Sequence, residues 1–262
     1  MNKWIFVITF CILTIPAHVA HGICCEKIKE LVKRKQNAYR VLCGNGHNLP
    51  RYCCEDIRKE VKTFVESYTT LCLNRTDSLY DSRILRGKYN WIIQIRKWLP
   101  SNLTKKNTVR CYQGTVNGWA SRTFHNRCDY KGPTLVIVQR GSYVFGAFAS
   151  KSWGGRSRYI RTSTSFIFSL KNKDGLSPFK TYSTVRPQFA LYTSINYGPT
   201  FGGGHDIYIA NNARLNSYSY TNFGYSYKAP NGYSYGSTKI KNLLAGSYRF
   251  SVNEVEVYYF SS

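Results

Sequence analysis

The chain has 262 residues, with 37 Lys and Arg against 13 Asp and Glu for a formal net charge of +24. The excess is spread, nineteen basic against eight acidic residues over Ile23 to Arg110 and seventeen against five over Cys111 to Ser262, which argues against a dedicated basic tail. With 43% hydrophobic residues the length suits one sizeable domain plus a small one.

Residues 1–22 carry an early Lys3, an apolar run from Trp4 to Pro16, and Ala-His-Gly at a plausible cleavage point. This is the layout of a signal peptide, and the run is shorter than the roughly 20 residues that span a bilayer. Secretion, with no transmembrane span, is therefore expected. Cys11 leaves with the signal and eight cysteines remain, an even number suited to an oxidising compartment.

Residues 23–76 contain one pattern written twice. Cys24 to Cys43 and Cys53 to Cys72 both read Cys-Cys, seventeen residues, Cys, and nine of twenty aligned positions are identical. Ile28, Leu31, Val32 and Leu42 in the first copy, and Ile57, Val61, Phe64, Val65 and Tyr68 in the second, recur at helical spacing. The connector GNGHNLPRY is full of breakers, so two amphipathic helices form an antiparallel hairpin. Cys43 then meets Cys53 or Cys54 at one end, and Cys72 meets Cys24 or Cys25 at the other. The two surplus thiols either join each other, with a different geometry, or join a second chain as a disulfide-linked homodimer. Vicinal cysteines in an exported chain suit bridges better than zinc, which favours Cys-x-x-Cys spacing and reduced thiolates. Asn74 and Asn102 each open an N-glycosylation sequon near the passage to the main part, 77–262.

From Ser82 the chain reads as a helix with Ile84, Leu85, Trp91, Ile92 and Ile95 on its apolar side, ended by Pro100. Runs of strand length follow at Thr134 to Gln139, Ser142 to Ala149 and Ser165 to Leu170. In GPTFGGGHDIYI, Gly198 to Ile209, the glycines Gly202, Gly203 and Gly204 lie between a proline turn and a strand. A phosphate cradle would end in Gly-Lys-Ser/Thr, whereas His205-Asp206 follows here, and a dinucleotide loop would open a helix. A tight turn with close backbone packing is expected instead. Asn211 to Ser237 alternates Tyr with Ser, Asn and Gly. It reads either as an adhesive, glycan-stacking surface or as edge strands and hairpin turns. The last segment, Val252 to Phe260, places Glu254 and Glu256 on one strand face and Val255, Val257 and Tyr259 on the other. Strands dominate, giving an α+β class built on packed antiparallel sheets.

The order WLP, CY…GW…FH..CD.KGPT, VFGAFAS, SFIFSL, GPTFGGGHDIYI and LLAGSYRF…EVEVYYF, over roughly Ser82 to Ser262, resembles the TLDc domain. The resemblance implies a β-sandwich of mainly antiparallel sheets edged by short helices, with Gly198, the triple glycine, His205, Asp206 and Glu256 as motif residues. It resembles the secreted, cysteine-containing branch, which implies a Cys111–Cys128 bridge. Relatives in the cytosol and nucleus protect against oxidative stress and bind the vacuolar proton pump. Export puts that pump out of reach, and the cysteine hairpin is no part of the family pattern.

Candidate chemistry is sparse. Adjacent His205 and Asp206 would point to opposite faces of a strand and could not share a metal. Glu254 and Glu256 read as a surface pair or as partners for Arg rather than a glycosidase couple. His125 near Cys128 imitates a Cys–His pair, but a bridged cysteine offers no thiolate. The expectation is a non-enzymatic binding protein without cofactor or metal. Its partner would be an extracellular protein or an anionic glycan or surface, not nucleic acid. A protective role against oxidative stress and a structural matrix role are the alternatives.

Overall fold

A computed structural model describes residues 30–31, 33–41, 43, 54–62 and 77–261. The chain divides into two compact units, Met1–Arg75 and Thr76–Ser262. In the first, helical stretches at 33–41 and 54–62 are joined by a Cys43–Cys54 disulfide, and Lys35 pairs with Glu60 across them. Cys43 follows the first stretch and Cys54 opens the second, while Lys35 and Glu60 meet farther along both, so the two stretches run in opposite directions. Of the two partners open to Cys43, the observed one is Cys54. The expected signal peptide at 1–22, Cys24, Cys25, Cys53, Cys72 and Asn74 lie outside the described residues.

The second unit opens with turns at 78–81 and 83–87, then helix α1 (Tyr89–Trp98). Strand β1 (Thr108–Gln113) leads to the short helices α2 (Gly114–Asn117) and α3 (Ser121–Cys128). Next come β2 (Thr134–Arg140), β3 (Tyr143–Ala149), β4 (Arg158–Ile160), β5 (Phe166–Lys171) and β6 (Phe179–Tyr182). A 3-10 turn (Pro187–Phe189) precedes the short strands β7 (Leu191–Thr193), β8 (Thr200–Phe201), β9 (Ile207–Tyr208) and β10 (Ser219–Tyr220). Helix α4 (Thr238–Leu243), β11 (Arg249–Phe250) and β12 (Glu254–Phe260) close the chain. Ser237 caps α4 by accepting a hydrogen bond from the Ile240 N–H.

These strands form two antiparallel six-stranded sheets, ordered β1-β12-β2-β3-β5-β6 and β11-β10-β9-β8-β7-β4. The C-terminal strand thus inserts between β1 and β2, with Val257 opposite Val136 and Tyr112. Alternation sends Val136, Val138, Phe145, Ala147, Val255 and Val257 toward Leu191, Phe201, Ile207 and Phe250 of the second sheet. The opposite set, Leu135, Ile137, Phe148, Phe166, Phe168 and Tyr258, packs under Leu79, Ile84, Leu85, Ile92, Ile95 and Leu99. The first sheet is therefore buried on both faces, and its middle strands read as continuous apolar runs for that reason.

The helix expected from Ser82 begins only at Tyr89. Gly87 takes φ +71°, a left-handed conformation that interrupts a helix. Ser82 and the Arg83 N–H are instead held by the Glu256 carboxylate. Ile84 and Leu85 still enter the core, so the apolar spacing reported burial rather than helix. The surface reading of Glu254 and Glu256 is likewise corrected, because both lie on the covered face of the first sheet, 2% and 0% exposed. Arg110 does pair with Glu256, at 3.7 Å. Most of Asn211 to Ser237 is turn, with a single two-residue strand, β10.

Gly146 sits mid-sheet on β3, where an added Cβ would lie 2.0 Å from the Val136 carbonyl oxygen. Gly146→Ala should cost about 3 kcal/mol, the upper range for overpacking, in urea denaturation. Gly87→Ala meets nothing within 4 Å and should cost only the left-handed penalty, about 1 kcal/mol.

Candidate functional site

The glycine block folds as a turn around one carboxylate. Asp206 is fully buried, and its oxygens accept backbone N–H groups from Gly224 at 2.8 Å, Tyr225 at 3.0 Å, Ser226 at 3.0 Å and Tyr227 at 3.3 Å. Burial pushes the carboxyl up to about 7, while the four N–H groups pull the other way. The glycines are required by space. A Cβ on Gly202, at φ +87°, would fall 1.9 Å from Asp206 Oδ2. On Gly203 it would meet Phe189 at 2.8 Å, and on Gly204 the Tyr225 ring at 2.8 Å. Two aromatic rings thus lie directly on bare backbone. Gly198 is closed in similarly by the Ile209 carbonyl oxygen, 2.8 Å from where its Cβ would stand.

His205 lies at φ +52° in this turn, before β9 rather than on a strand, which corrects the strand placement. The separation expected from its neighbour is nevertheless kept: Asp206 faces inward and His205 outward. Its Nδ1 lies 2.8 Å from the Tyr220 hydroxyl, and its ring touches Tyr192, Tyr197, Tyr208 and Tyr220 at centroid distances of 5.5–5.9 Å. Burial among these rings lowers its pKa.

That histidine is the centre of a larger array. Strand register places Tyr159 opposite Tyr192, Tyr192 opposite Thr200, Thr200 opposite Tyr208, Tyr208 opposite Tyr220 and Tyr220 opposite Arg249. The row crosses all six strands of the second sheet on the face away from the core. Tyr197 bridges the place of buried Thr200, with ring centroids 5.5 Å from Tyr192 and 4.9 Å from Tyr208. Burial raises the Tyr220 phenol to about 12, with Tyr248, Tyr208 and Tyr197 adding to it and Arg249 opposing. The sequence marked Tyr220 within its Tyr/Ser segment but not Tyr159, Tyr192, Tyr197 or Tyr208. The available signal was one tyrosine between two inward residues in LYT, IYI and SYT, with none of the kind at Tyr159, which follows exposed Arg158.

The other predicted sites are structural in geometry. Glu256 accepts from Ser82, the Arg83 N–H at 2.8 Å and the Tyr258 hydroxyl at 2.9 Å. Burial raises its pKa against those partners. Glu254 holds the Thr115 N–H at 3.1 Å, the Thr115 hydroxyl and Gln113 Nε2 at 3.1 Å. Glu256 thus ties the turn at Ser82 and Arg83 to β12, and Glu254 ties β1 and α2 to it. Cys111 and Cys128 are bridged, with Cα atoms 5.4 Å apart, locking β1 to the end of α3. His125 is buried, its nitrogens 2.8 Å from Asp129 Oδ1 and 2.9 Å from the Tyr197 carbonyl oxygen. Asn102 is exposed in the turn after α1, as a glycan acceptor would need. Among the described residues no three His, Cys, Asp or Glu side chains gather as a metal site, and no helix is long and apolar enough to cross a membrane.

Asp206→Ala would leave four adjacent buried N–H groups unpaired, and should cost about 3 kcal/mol or more in chemical denaturation. For His205, a folded pKa below the ordinary value means that the unfolded chain binds the extra proton. Its contribution is present above about pH 6.5 and is lost as pH falls toward the folded value. The stability advantage of the native chain over His205→Asn should therefore shrink between pH 7 and pH 5. Asn tolerates the left-handed backbone, and the Asp206 contribution, common to both chains, drops out of the difference. An advantage that grows on acidification would contradict this.

A comparison with curated proteins returned no match. The TLDc domain family model matches residues 80–261, covering both sheets, the glycine turn and the terminal strand. On that match the chain belongs to the TLDc domain family.

Proposed function

We propose that this chain is an exported, non-enzymatic TLDc-domain protein that works by binding an extracellular polyanion. The observation that carries the reading is how its charges are sorted. Over residues 77–261 there are twenty-five Lys and Arg against seven Asp and Glu. Asp77, Asp206, Glu254 and Glu256 are buried, whereas no Lys or Arg there is. Asp129 is occupied by His125. The solvent-facing charge is thus more one-sided than the composition, and a surface of one sign attracts and concentrates a partner of the other.

The Cys43–Cys54 and Cys111–Cys128 bridges support an oxidising destination. The carboxylates that might have served as acid and base are engaged in holding loops, which favours binding over catalysis. The hairpin unit would then serve attachment or dimerisation.

The full secreted chain should be retained on immobilised heparin at physiological ionic strength. It should be released as salt approaches 1 M, where the Debye length falls to about 3 Å. Failure to bind at physiological salt, or binding insensitive to added salt, would refute the polyanion reading.

A further inference from the structure

The tyrosine row gives this reading a place and a chemistry. It is continuous: centroid separations are 4.9 Å for Tyr159–Tyr192, 5.5 Å for Tyr192–Tyr197, 4.9 Å for Tyr197–Tyr208 and 5.1 Å for Tyr208–Tyr220. Tyr248 extends it by another 5.5 Å beside Tyr220. Five steps at the ordinary strand spacing of about 4.8 Å make a track of about 24 Å. The rings are half-exposed and braced against one another and His205, so they form a fixed shelf rather than mobile side chains.

Cations border the shelf. Arg249 is exposed in register with Tyr220, Lys241 stands 5.2 Å over the Tyr248 ring, and Arg186 lies 4.1 Å over Tyr225. Asp206, the carboxylate nearest in sequence, faces away and is sealed by its four N–H partners. Two copies of such a face would repel each other, which disfavours self-association through it.

We propose that the outer face of the second sheet binds an acidic polysaccharide, its sugar rings lying along Tyr159, Tyr192, Tyr197, Tyr208 and Tyr220 and its sulfates or carboxylates meeting Arg249 and Lys241. The inference rests on the polyanion reading above and adds the surface that carries it. Aromatic rings with polar tips cover the apolar faces of sugars while bordering wet surface. A single nucleic-acid strand also stacks on aromatic platforms. Here the rings already engage one another at 48–67°, leaving no parallel slot for a base, whereas a puckered sugar can rest across their edges.

The test is calorimetric titration of the full secreted chain with heparin oligosaccharides. Parallel arms use the desulfated, uronate-bearing form, a neutral dextran of equal length and an oligothymidylate of equal charge. Tyr208→Ala should weaken heparin binding about tenfold, equivalent to about 1.4 kcal/mol, and Tyr208→Phe should restore it to within about twofold. Arg249→Ala, at an exposed position, should weaken it without lowering the thermal midpoint. In the native chain, heparin should protect row tyrosines from nitration by tetranitromethane, a readout that does not depend on any variant folding. Binding to the desulfated form alone would assign the contact to carboxylate, and loss with desulfation would assign it to sulfate. Unchanged, salt-sensitive affinity in a folded Tyr208→Ala chain, with no protection of the row, would overturn the shelf and leave the polyanion reading standing. No binding by the native chain would end both. Preference for oligothymidylate or for dextran would overturn the acidic polysaccharide.

Discussion

The buried Asp206 carboxylate, gathering four consecutive N–H groups from Gly224 to Tyr227, is the constraint on which the outer half of the domain rests. A buried ion is tolerated only with such a complement of donors. Meeting it brings a distant loop against the glycine turn, removes every Cβ that would stand in the way, and leaves His205 turned outward. Phe189 and Tyr225 then settle on the glycines, and tyrosines of three short strands, with Tyr197 from the loop before β8, close around the histidine. Strands of two or three residues seldom hold a register by themselves. Here the turn beneath them and the core on their inner side supply what their length lacks.

The same economy recurs on the first sheet. Glu256 fastens the turn at Ser82 and Arg83, Glu254 fastens Thr115, and Asp77 fastens Thr108 while pairing with Arg96. Glu256 and Asp77 each join an irregular segment to a regular element, and Glu254 joins β12 to β1 and α2. In this domain acidic residues act as internal ties, and basic residues make the surface. The division links architecture to the proposed partner, because the interactions that fix these segments also take four of the seven carboxylates off the exterior.

Much of this was legible in the sequence. Apolar runs between turn residues marked β2, β3 and β5, and alternation marked β12, whereas the edge strands β1 and β6 carry no such signal; the missing lysine together with the strand after Asp206 excluded a phosphate loop. The apolar positions Ile84 and Leu85 were read correctly as buried but wrongly as helical, because periodicity does not report a left-handed glycine. Glu254 and Glu256 were read as surface because one strand does not reveal that its sheet is covered on both sides. The tyrosine row was hidden for a related reason. Tyr159, Tyr192, Tyr208 and Tyr220 lie on four strands spread over sixty residues, and only the register of β4, β7, β9 and β10 aligns them.

The inward carboxylates have a further consequence, for the proton-binding capacity of the exterior. Few groups on the outside of residues 77–261 can change protonation between mildly acidic and mildly alkaline conditions. Most of the carboxylates are sealed inside, and the rings around His205 hold its pKa below the ordinary value. The exterior should therefore vary little in charge with acidity, while the Asp206 carboxyl, near 7, titrates behind its four N–H partners on the inner side. A polyanion meeting the outer face would thus find nearly the same electrostatic surface in mildly acidic and in neutral surroundings.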